Sequence, residues 1–237
     1  VYLHKSKHFS DLGLLARFEW PKLSAIKQLL VLGVPMGIAI FMEGSLFVAT
    51  ALFIGQLGAV DVAAHQIALN VASASFMIPL GIALATTVRV GHAVGARDYL
   101  AVRWAMKAGL FLVLITQTLS AILLIFAGQW ISSLYTDDAA IATLASTLMV
   151  YAALFQYPDG IQALSGGALR GLKDTKIPMF ITVFAYWAVG LSAGIFLGIH
   201  QGLRAPGFWL GLTIGLSVAA VLLFSRFWHK LKKLEQA

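Results

Sequence analysis

Six long apolar segments dominate the sequence, and each is long enough to cross a membrane, because a spanning helix needs about 20 consecutive apolar residues. They cover residues 29–57, 62–88, 108–127, 139–169, 177–199 and 205–225. Hydrophobic residues make up 59% of the composition and charged residues 11%, against roughly 45–50% and about 25% in an average soluble domain. Too few charged side chains remain to cover a surface in water. We therefore predict an all-α integral membrane protein, a bundle of six transmembrane helices.

The basic residues predict how these helices are oriented. Lys and Arg are concentrated in the cytoplasmic loops of membrane proteins. All 17 Lys and Arg residues except Arg204 lie before the first segment, after the last one, or in the second and fourth connections. This alternation requires all six spans, so it supports the number of helices independently of hydropathy. It predicts that both termini lie in the cytoplasm.

The polar ends of the chain complete the predicted domain organisation. We assign residues 1–28 to a basic cytoplasmic linker, 29–225 to the transmembrane bundle and 226–237 to a basic cytoplasmic tail. The chain opens without Met inside the basic stretch, so we expect it to belong to a longer protein. The net charge of +7 is spread over separate segments on one membrane face. That distribution indicates contact with anionic lipid headgroups and not a nucleic-acid-binding groove.

Two acidic residues lie deep within the predicted helices. Glu43 is at the midpoint of the first segment and Asp159 is well inside the fourth, whereas the other Asp and Glu residues fall in connections or termini. An ionisable side chain at such depth costs about 3 kcal/mol on insertion scales. Such residues usually face a cavity and bind an ion, a proton or a substrate; the alternative is a structural pair bonded to polar neighbours. We predict that Glu43 and Asp159 belong to a functional site for an ion, a proton or a substrate.

Two prolines accompany these carboxylates, Pro35 in the first segment and Pro158 directly before Asp159. A proline within a helix leaves the carbonyl four residues earlier without its donor. A freed carbonyl beside a carboxylate can ligate a hard cation, which prefers oxygen ligands, so Glu43 and Asp159 are candidate Na⁺ ligands. The prolines are also candidate hinges, although a kink required only for packing fits the sequence equally well.

Polar residues form stripes on two of the helices. Gln66, Asn70 and Ser73 recur at helical spacing in the second segment, and Gln162 shares a face with Asp159 in the fourth. Buried amides can simply connect helices by hydrogen bonds. Together with the two carboxylates, they instead suggest one hydrated cavity with a partly aromatic wall. The residues predicted to line it are Gln66, Asn70, Phe155, Gln156, Tyr157 and Gln162.

Small residues at intervals of four predict surfaces at which helices pack closely, because they let backbones approach each other. Gly33 and Gly37 form a short stripe of this kind on the first segment. The glycines that form these stripes on the fifth and sixth segments are Gly190, Gly194, Gly198, Gly207, Gly211 and Gly215. Ordinary bundle packing explains them, and a surface that slides during a conformational change is the alternative.

Signals of enzyme chemistry are missing from the sequence. It contains no H-E-x-x-H zinc helix, no G-x-S-x-G elbow, no P-loop and no aspartate-rich diphosphate motif. There are no cysteines and the six histidines are scattered, so thiolate metal sites and disulfides are excluded. We predict that the protein is not an enzyme and holds no cofactor.

Five sequence motifs resemble those of a known transporter family. Gly33-Val34-Pro35 followed by Glu43 is similar to its seventh helix, and VAAHQIALN at 62–70 to the start of its eighth. RVGHAVGARD at 89–98, ALRGLKDTKIP at 168–178 and GFWLGLTIGL at 207–216 are similar to later loops and the twelfth helix. Their order along the chain resembles the C-terminal half of the multidrug and toxic compound extrusion (MATE) transporters, in the bacterial NorM-type branch.

The resemblance implies a twelve-helix protein of the bacterial inner membrane, in which this chain is the second six-helix lobe and an N-terminal lobe is its partner. It implies export of small organic cations in exchange for Na⁺ or H⁺, without ATP. Glu43 and Asp159 match acidic residues of the family's C-lobe cation site. Phe155 stands where sodium-coupled relatives often have tyrosine, so the choice between Na⁺ and H⁺ stays open.

Three other functions fit the sequence less well than cation-coupled export. A flippase for a lipid-linked oligosaccharide, from the same superfamily, would favour a basic cavity that holds diphosphate, whereas the deep charges here are acidic. A membrane-embedded enzyme lacks a catalytic constellation. A structural membrane subunit would gain nothing from two costly intramembrane carboxylates.

Overall fold

The computed structural model describes residues 20 and 22–236, so residues 1–19 and 21 of the predicted linker lie outside the described residues. Within that part of the chain there are six long apolar helices and no strand, which confirms the predicted fold class. The helices are α1 (Leu23–Gly55), α2 (Ala59–Gly95), α3 (Tyr99–Ser133), α4 (Ala139–Gly171), α5 (Lys176–His200) and α6 (Arg204–Glu235).

The helices extend beyond the apolar segments that predicted them. The first helix begins at Leu23, inside the stretch assigned to the linker, and the last continues to Glu235 through most of the stretch assigned to the tail. Hydropathy marks only the part of a helix that lies in hydrocarbon. A basic sequence can remain helical past that point, and Lys232 and Lys233 suit the negative end of the α6 dipole.

Short capped turns connect the helices. The Asp98 and Asp138 side chains accept backbone hydrogen bonds at the starts of α3 and α4, a preferred role for aspartate at a helix N-cap. The α2–α3 and α4–α5 turns share one geometry: Arg97 and Lys173 adopt left-handed conformations, with φ of 56° and 55°. The next amide in each turn, that of Asp98 and of Asp174, donates back to a carbonyl at the end of the preceding helix, at 2.9 Å. Such a closure satisfies carbonyls that the helix end leaves free.

Helix α4 occupies the centre of the bundle and packs against α2, α3 and α6. Its inward faces carry many small residues, including Ala145, Ala152 and Ala168. Small side chains allow helices to approach closely, which is how helices associate where lipid offers no hydrophobic driving force. Helix α1 packs mainly against α5 and leaves much of its apolar surface exposed.

The glycine stripes on α5 and α6 face each other, whereas a Cβ added at Gly33 or Gly37 of α1 would meet nothing within 4 Å among the described residues. A Cβ atom added to Gly215 would lie 2.7 Å from the Gly190 Cα, and one added to Gly211 would overlap the Gly194 backbone. The two backbones therefore touch along the stripe. Helix α5 also departs from regular α geometry over Phe184–Leu191 and Phe196–His200, which are π-helical. Such wider turns are often found at functional sites.

Candidate cation-binding site

The two carboxylates that the sequence singled out face the same cavity. Glu43 comes from α1 and Asp159 from α4, and both line a space of about 170 Å³. The Gln162 side chain bridges them: its Nε2 donates to Glu43 Oε1 at 3.0 Å and to Asp159 Oδ1 at 3.4 Å. Gln162 and Glu43 are 119 positions apart in the sequence. The pair therefore depends on the tertiary arrangement that brings Glu43 of α1 to Gln162 of α4.

The rest of the cavity wall is largely apolar. Besides the carboxylates it consists of Phe47, Leu69, Ala72, Ser73, Phe76 and Phe155. Asp159 is only 6% exposed. A water molecule occupies about 30 Å³ in the liquid, so the cavity has room for a small cation with a few waters. Carboxylate oxygens are the ligands that hard cations prefer, and one amide donor leaves most of their lone pairs free.

Arg170 is a basic neighbour of the site that sequence reasoning assigned only to a loop. It belongs to the last turns of α4, and its side chain folds back along that helix, since a Cβ built on Gly166 would lie 3.7 Å from Arg170 Nη1. Its guanidinium interacts electrostatically with Glu43. The signal in the sequence is the missing side chain at Gly166, one helical turn before Arg170, which leaves room for the guanidinium.

Helix α5 contributes two residues that the sequence analysis did not single out. Tyr186 is fully buried, and its hydroxyl interacts electrostatically with both Glu43 and Asp159. Trp187 Nε1 donates to the Met42 carbonyl at 3.3 Å, directly beside Glu43. A Tyr-Trp pair in the middle of an otherwise apolar segment is the signal that could have identified them.

Of the six residues predicted to line the cavity, Phe155 lines it and Gln162 contacts its two carboxylates. Phe155 lines the cavity, and its ring packs edge-on against those of Phe47 and Trp209, with centroids 6.1 Å and 5.5 Å away. Phe155 therefore forms the aromatic part of the wall beside Asp159.

Gln66 and Asn70 line a neighbouring pocket of about 400 Å³ and not the carboxylate cavity itself. There the Tyr135 hydroxyl donates to Asn70 Oδ1 at 2.8 Å. Leu69 and Ser73 line both spaces. The predicted single cavity is thus divided into two adjoining ones by a turn of α2.

The Tyr157 side chain and the Gln156 backbone contact α3. The Gln156 backbone carbonyl accepts from Gln117 Nε2 at 3.0 Å, and the Tyr157 hydroxyl donates to Thr118 Oγ1 at 3.1 Å. Tyr157 precedes Asp159 by two residues, a rotation of about 200° on a helix, so it faces away from the carboxylate. The side-chain amide of Gln156 is buried without a hydrogen-bond partner among the described residues. The predicted hinge residues Pro35 and Pro158 lie within continuous helices, and their role as hinges stays a prediction.

The structure corrects the assignment of Asp61 to a loop. It lies in the first turn of α2, is 3% exposed, and pairs with Arg204 at the start of α6. Arg204 Nη2 lies 2.5 Å from Asp61 Oδ2 and also donates to the Leu57 carbonyl. Arg204 was the exception to the alternation of basic residues, and the ion pair explains its position. Asp61 differs from the carboxylates of the cavity because it is directly neutralised.

Fold and site together define a multi-pass membrane protein with a paired-carboxylate cavity inside a six-helix bundle. The model of the MatE family matches residues 35–196, more than half of the chain. The chain belongs to this family, which confirms the resemblance seen in its motifs.

Similar proteins of known sequence carry names that refer to multidrug resistance. The chain is 53% identical over 227 residues to "Probable multidrug resistance protein NorM" of Xanthomonas axonopodis pv. citri, which covers 96% of this chain and 50% of that protein. It is 40% identical over 229 residues to "Multidrug resistance protein PmpM" of Pseudomonas aeruginosa, with 95% and 48% covered. The chain spans about half the length of the curated relatives it matches.

Solved structures share the fold at low sequence identity. A eukaryotic MATE transporter, AtDTX14, is 20% identical and superposes with a TM-score of 0.85 over 99% of this chain and 54% of that one. The outward-facing conformation of a multidrug resistance MATE family transporter is also 20% identical and gives a TM-score of 0.81 over 93% of this chain and 50% of that one. At these identities the similarity establishes the six-helix fold.

Proposed function

We propose that the chain is the C-terminal half of a multidrug efflux antiporter in a bacterial inner membrane, which exports organic cations in exchange for Na⁺ or H⁺. Family membership and the names of the relatives support multidrug efflux. The observation that carries the coupling mechanism is the placement of Glu43 and Asp159 at one cavity, with Gln162 donating to both.

The exchange follows from the charge of the cavity. Two ionised carboxylates in a largely apolar space need a compensating positive charge, because an unpaired buried charge is strongly disfavoured. A proton or Na⁺ supplies that charge in one state, and an organic cation supplies it in the other. Each arriving cation displaces its predecessor because both need the same negative charge. The rings of Phe47, Phe76 and Phe155 can attract an organic cation through cation–π interactions.

The charge of the cavity also separates this function from the flippase alternative. The lining residues include two carboxylates and no basic side chain. A diphosphate cargo would be repelled by such a wall, whereas a cation would be attracted. Arg170 lies outside the lining and is already engaged electrostatically with Glu43.

An N-terminal lobe is the main partner in this proposal. Alternating access requires two bundles that rock or open against each other, and this chain corresponds to about half of its relatives. The exposed apolar surface of α1 is compatible with contact to that lobe, and the outer helices contact lipid. In this arrangement both termini lie in the cytoplasm.

The test replaces each carboxylate in the full-length transporter by its amide. Glu43→Gln and Asp159→Asn keep size and most hydrogen bonding while they remove the charge. Both variants should insert normally but lose ethidium efflux from proteoliposomes when sodium and pH gradients are imposed separately. Asp137→Asn is the control, because Asp137 is an exposed carboxylate far from the cavity in sequence. If both amide variants keep full efflux under both gradients, the carboxylates are structural and coupling lies in the N-terminal lobe.

A further inference from the structure

The α5 side of the carboxylate site contains a buried hydroxyl without an ordinary hydrogen bond. Tyr186 is 0% exposed, and its hydroxyl interacts with the Glu43 carboxylate without meeting the geometry of an ordinary hydrogen bond to any described residue. Burial of an unpaired hydroxyl is unfavourable, so a group in this position is expected to have a partner in at least one state of the protein. The groups with which it interacts electrostatically are Glu43 and Asp159.

The neighbouring residue attaches the same turn of α5 to α1. Trp187 Nε1 donates to the backbone carbonyl of Met42, the residue that precedes Glu43. Two consecutive α5 side chains thus reach the Met42–Glu43 segment, one at the backbone and one at the carboxylate. Both belong to the π-helical stretch Phe184–Leu191, whose wider turn sets the directions in which they project.

We propose that Tyr186 is a positioning residue of the cation site, whose hydroxyl donates to the Glu43 carboxylate and holds it toward Asp159. This inference rests on the proposed function of the two carboxylates. Gln162 approaches Glu43 from α4 at 3.0 Å, so the hydroxyl supplies a second donor from the opposite helix. Two donors fix the orientation of a carboxylate far better than one, since a single hydrogen bond leaves it free to rotate.

The affinity for small cations should depend on the Tyr186 hydroxyl more than the affinity for organic cations does. A proton or Na⁺ must be held between the two carboxylates at short range, so its affinity depends on how Glu43 is turned. A large cation with delocalised charge also contacts the aromatic wall, and its affinity depends less on that orientation. Loss of the Tyr186 hydroxyl should therefore weaken binding of the coupling cation more than binding of the drug.

The experiment uses Tyr186→Phe in the full-length transporter in proteoliposomes, with ethidium as the drug. Two titrations are made: NaCl at fixed pH, and protons in sodium-free buffer. The concentration of the driving cation at half-maximal efflux should rise about tenfold, the scale of one hydrogen bond to a charged group. The KM for ethidium should change by less than about twofold. Tyr157→Phe is the matched control, because the Tyr157 hydroxyl bonds Thr118 between α3 and α4; it should change neither quantity.

If Tyr186→Phe does not insert, Trp187→Phe tests the same contact between α5 and the Met42–Glu43 segment. Trp187→Phe removes the indole donor to Met42 and keeps an aromatic ring, so it should raise the half-saturating cation concentration about threefold. An unchanged cation requirement in the inserted variants, or an equal rise in the cation requirement and the ethidium KM, would refute the positioning role. If Glu43→Gln and Asp159→Asn abolish coupling in the same assay, such a result refutes only the role of Tyr186. If those two variants keep coupling, the proposed function has failed.

Discussion

Gly211→Ala is predicted to separate α5 from α6. The added Cβ would overlap the Cα and N of Gly194 and approach the Gly190 carbonyl oxygen at 2.8 Å. These are backbone atoms that cannot rotate away, so the helices must move apart along the whole glycine stripe. Overpacking of this kind costs about 1–3 kcal/mol, and the rigid contact places the expected loss near the upper end, at about 3 kcal/mol.

The assay is thermal unfolding of the purified full-length transporter in detergent, followed by size-exclusion chromatography after heating. A loss of about 3 kcal/mol should lower the Tm by roughly 3 °C, because the unfolding entropy is about 2.1 cal/mol/K per residue and the relatives are about twice as long as this chain. Gly81→Ala is the matched control: it lies within α2 and a Cβ there meets no atom within 4 Å. That change should be neutral or slightly stabilising, because alanine is the better helix former by about 1 kcal/mol. Equal melting temperatures for the two variants would show that the α5–α6 backbones are not in contact.

Three further predictions use other parts of the chain. Single cysteines introduced at Ser133 and Ala96 should differ in labelling by an impermeant thiol reagent added outside, with Ser133→Cys reactive and Ala96→Cys protected; the reverse pattern would overturn the predicted orientation. Arg204→Gln should lower the Tm more than Arg103→Gln, because Asp61 is 3% exposed and would lose its charged partner, whereas both partners of the Arg103–Glu235 pair are open to solvent; similar shifts in thermal unfolding would contradict this. Phe155→Tyr should increase the sodium dependence of efflux if a hydroxyl at this position selects Na⁺, and an unchanged sodium titration would show that it does not.

Local patterns of the sequence were sufficient for the number of helices but not for the residues at which they end. The number of spans follows from hydropathy, since about 20 apolar residues are needed whatever the neighbouring helices do. The caps formed by Asp98 and Asp138 follow from side-chain chemistry within a single turn. The depth of Glu43 and Asp159 is likewise a matter of position along one helix.

Contacts between helices could be identified only partly. The glycine stripes predicted a closely packed surface on each of α5 and α6, and the structure shows that these two surfaces contact each other. The stripe of Gln66 and Asn70 also exists on one face of α2, but a turn of that helix separates it from the carboxylates. Periodicity defines a face, whereas the surface it meets depends on how the helices cross.

Only the tertiary structure decided which groups surround the two carboxylates. Gln162 joins Glu43 to Asp159, Arg170 folds back along α4, and Tyr186 is buried on the α5 side of the two acids. Asp61 looks equally acidic in the sequence, yet its pairing with Arg204 removes it from the candidate site. The sequence alone determined how deep each charge lies, because depth depends on the number of apolar residues along one helix. Its partners depend on helix rotation and spacing, which are fixed by the combined packing of all six helices.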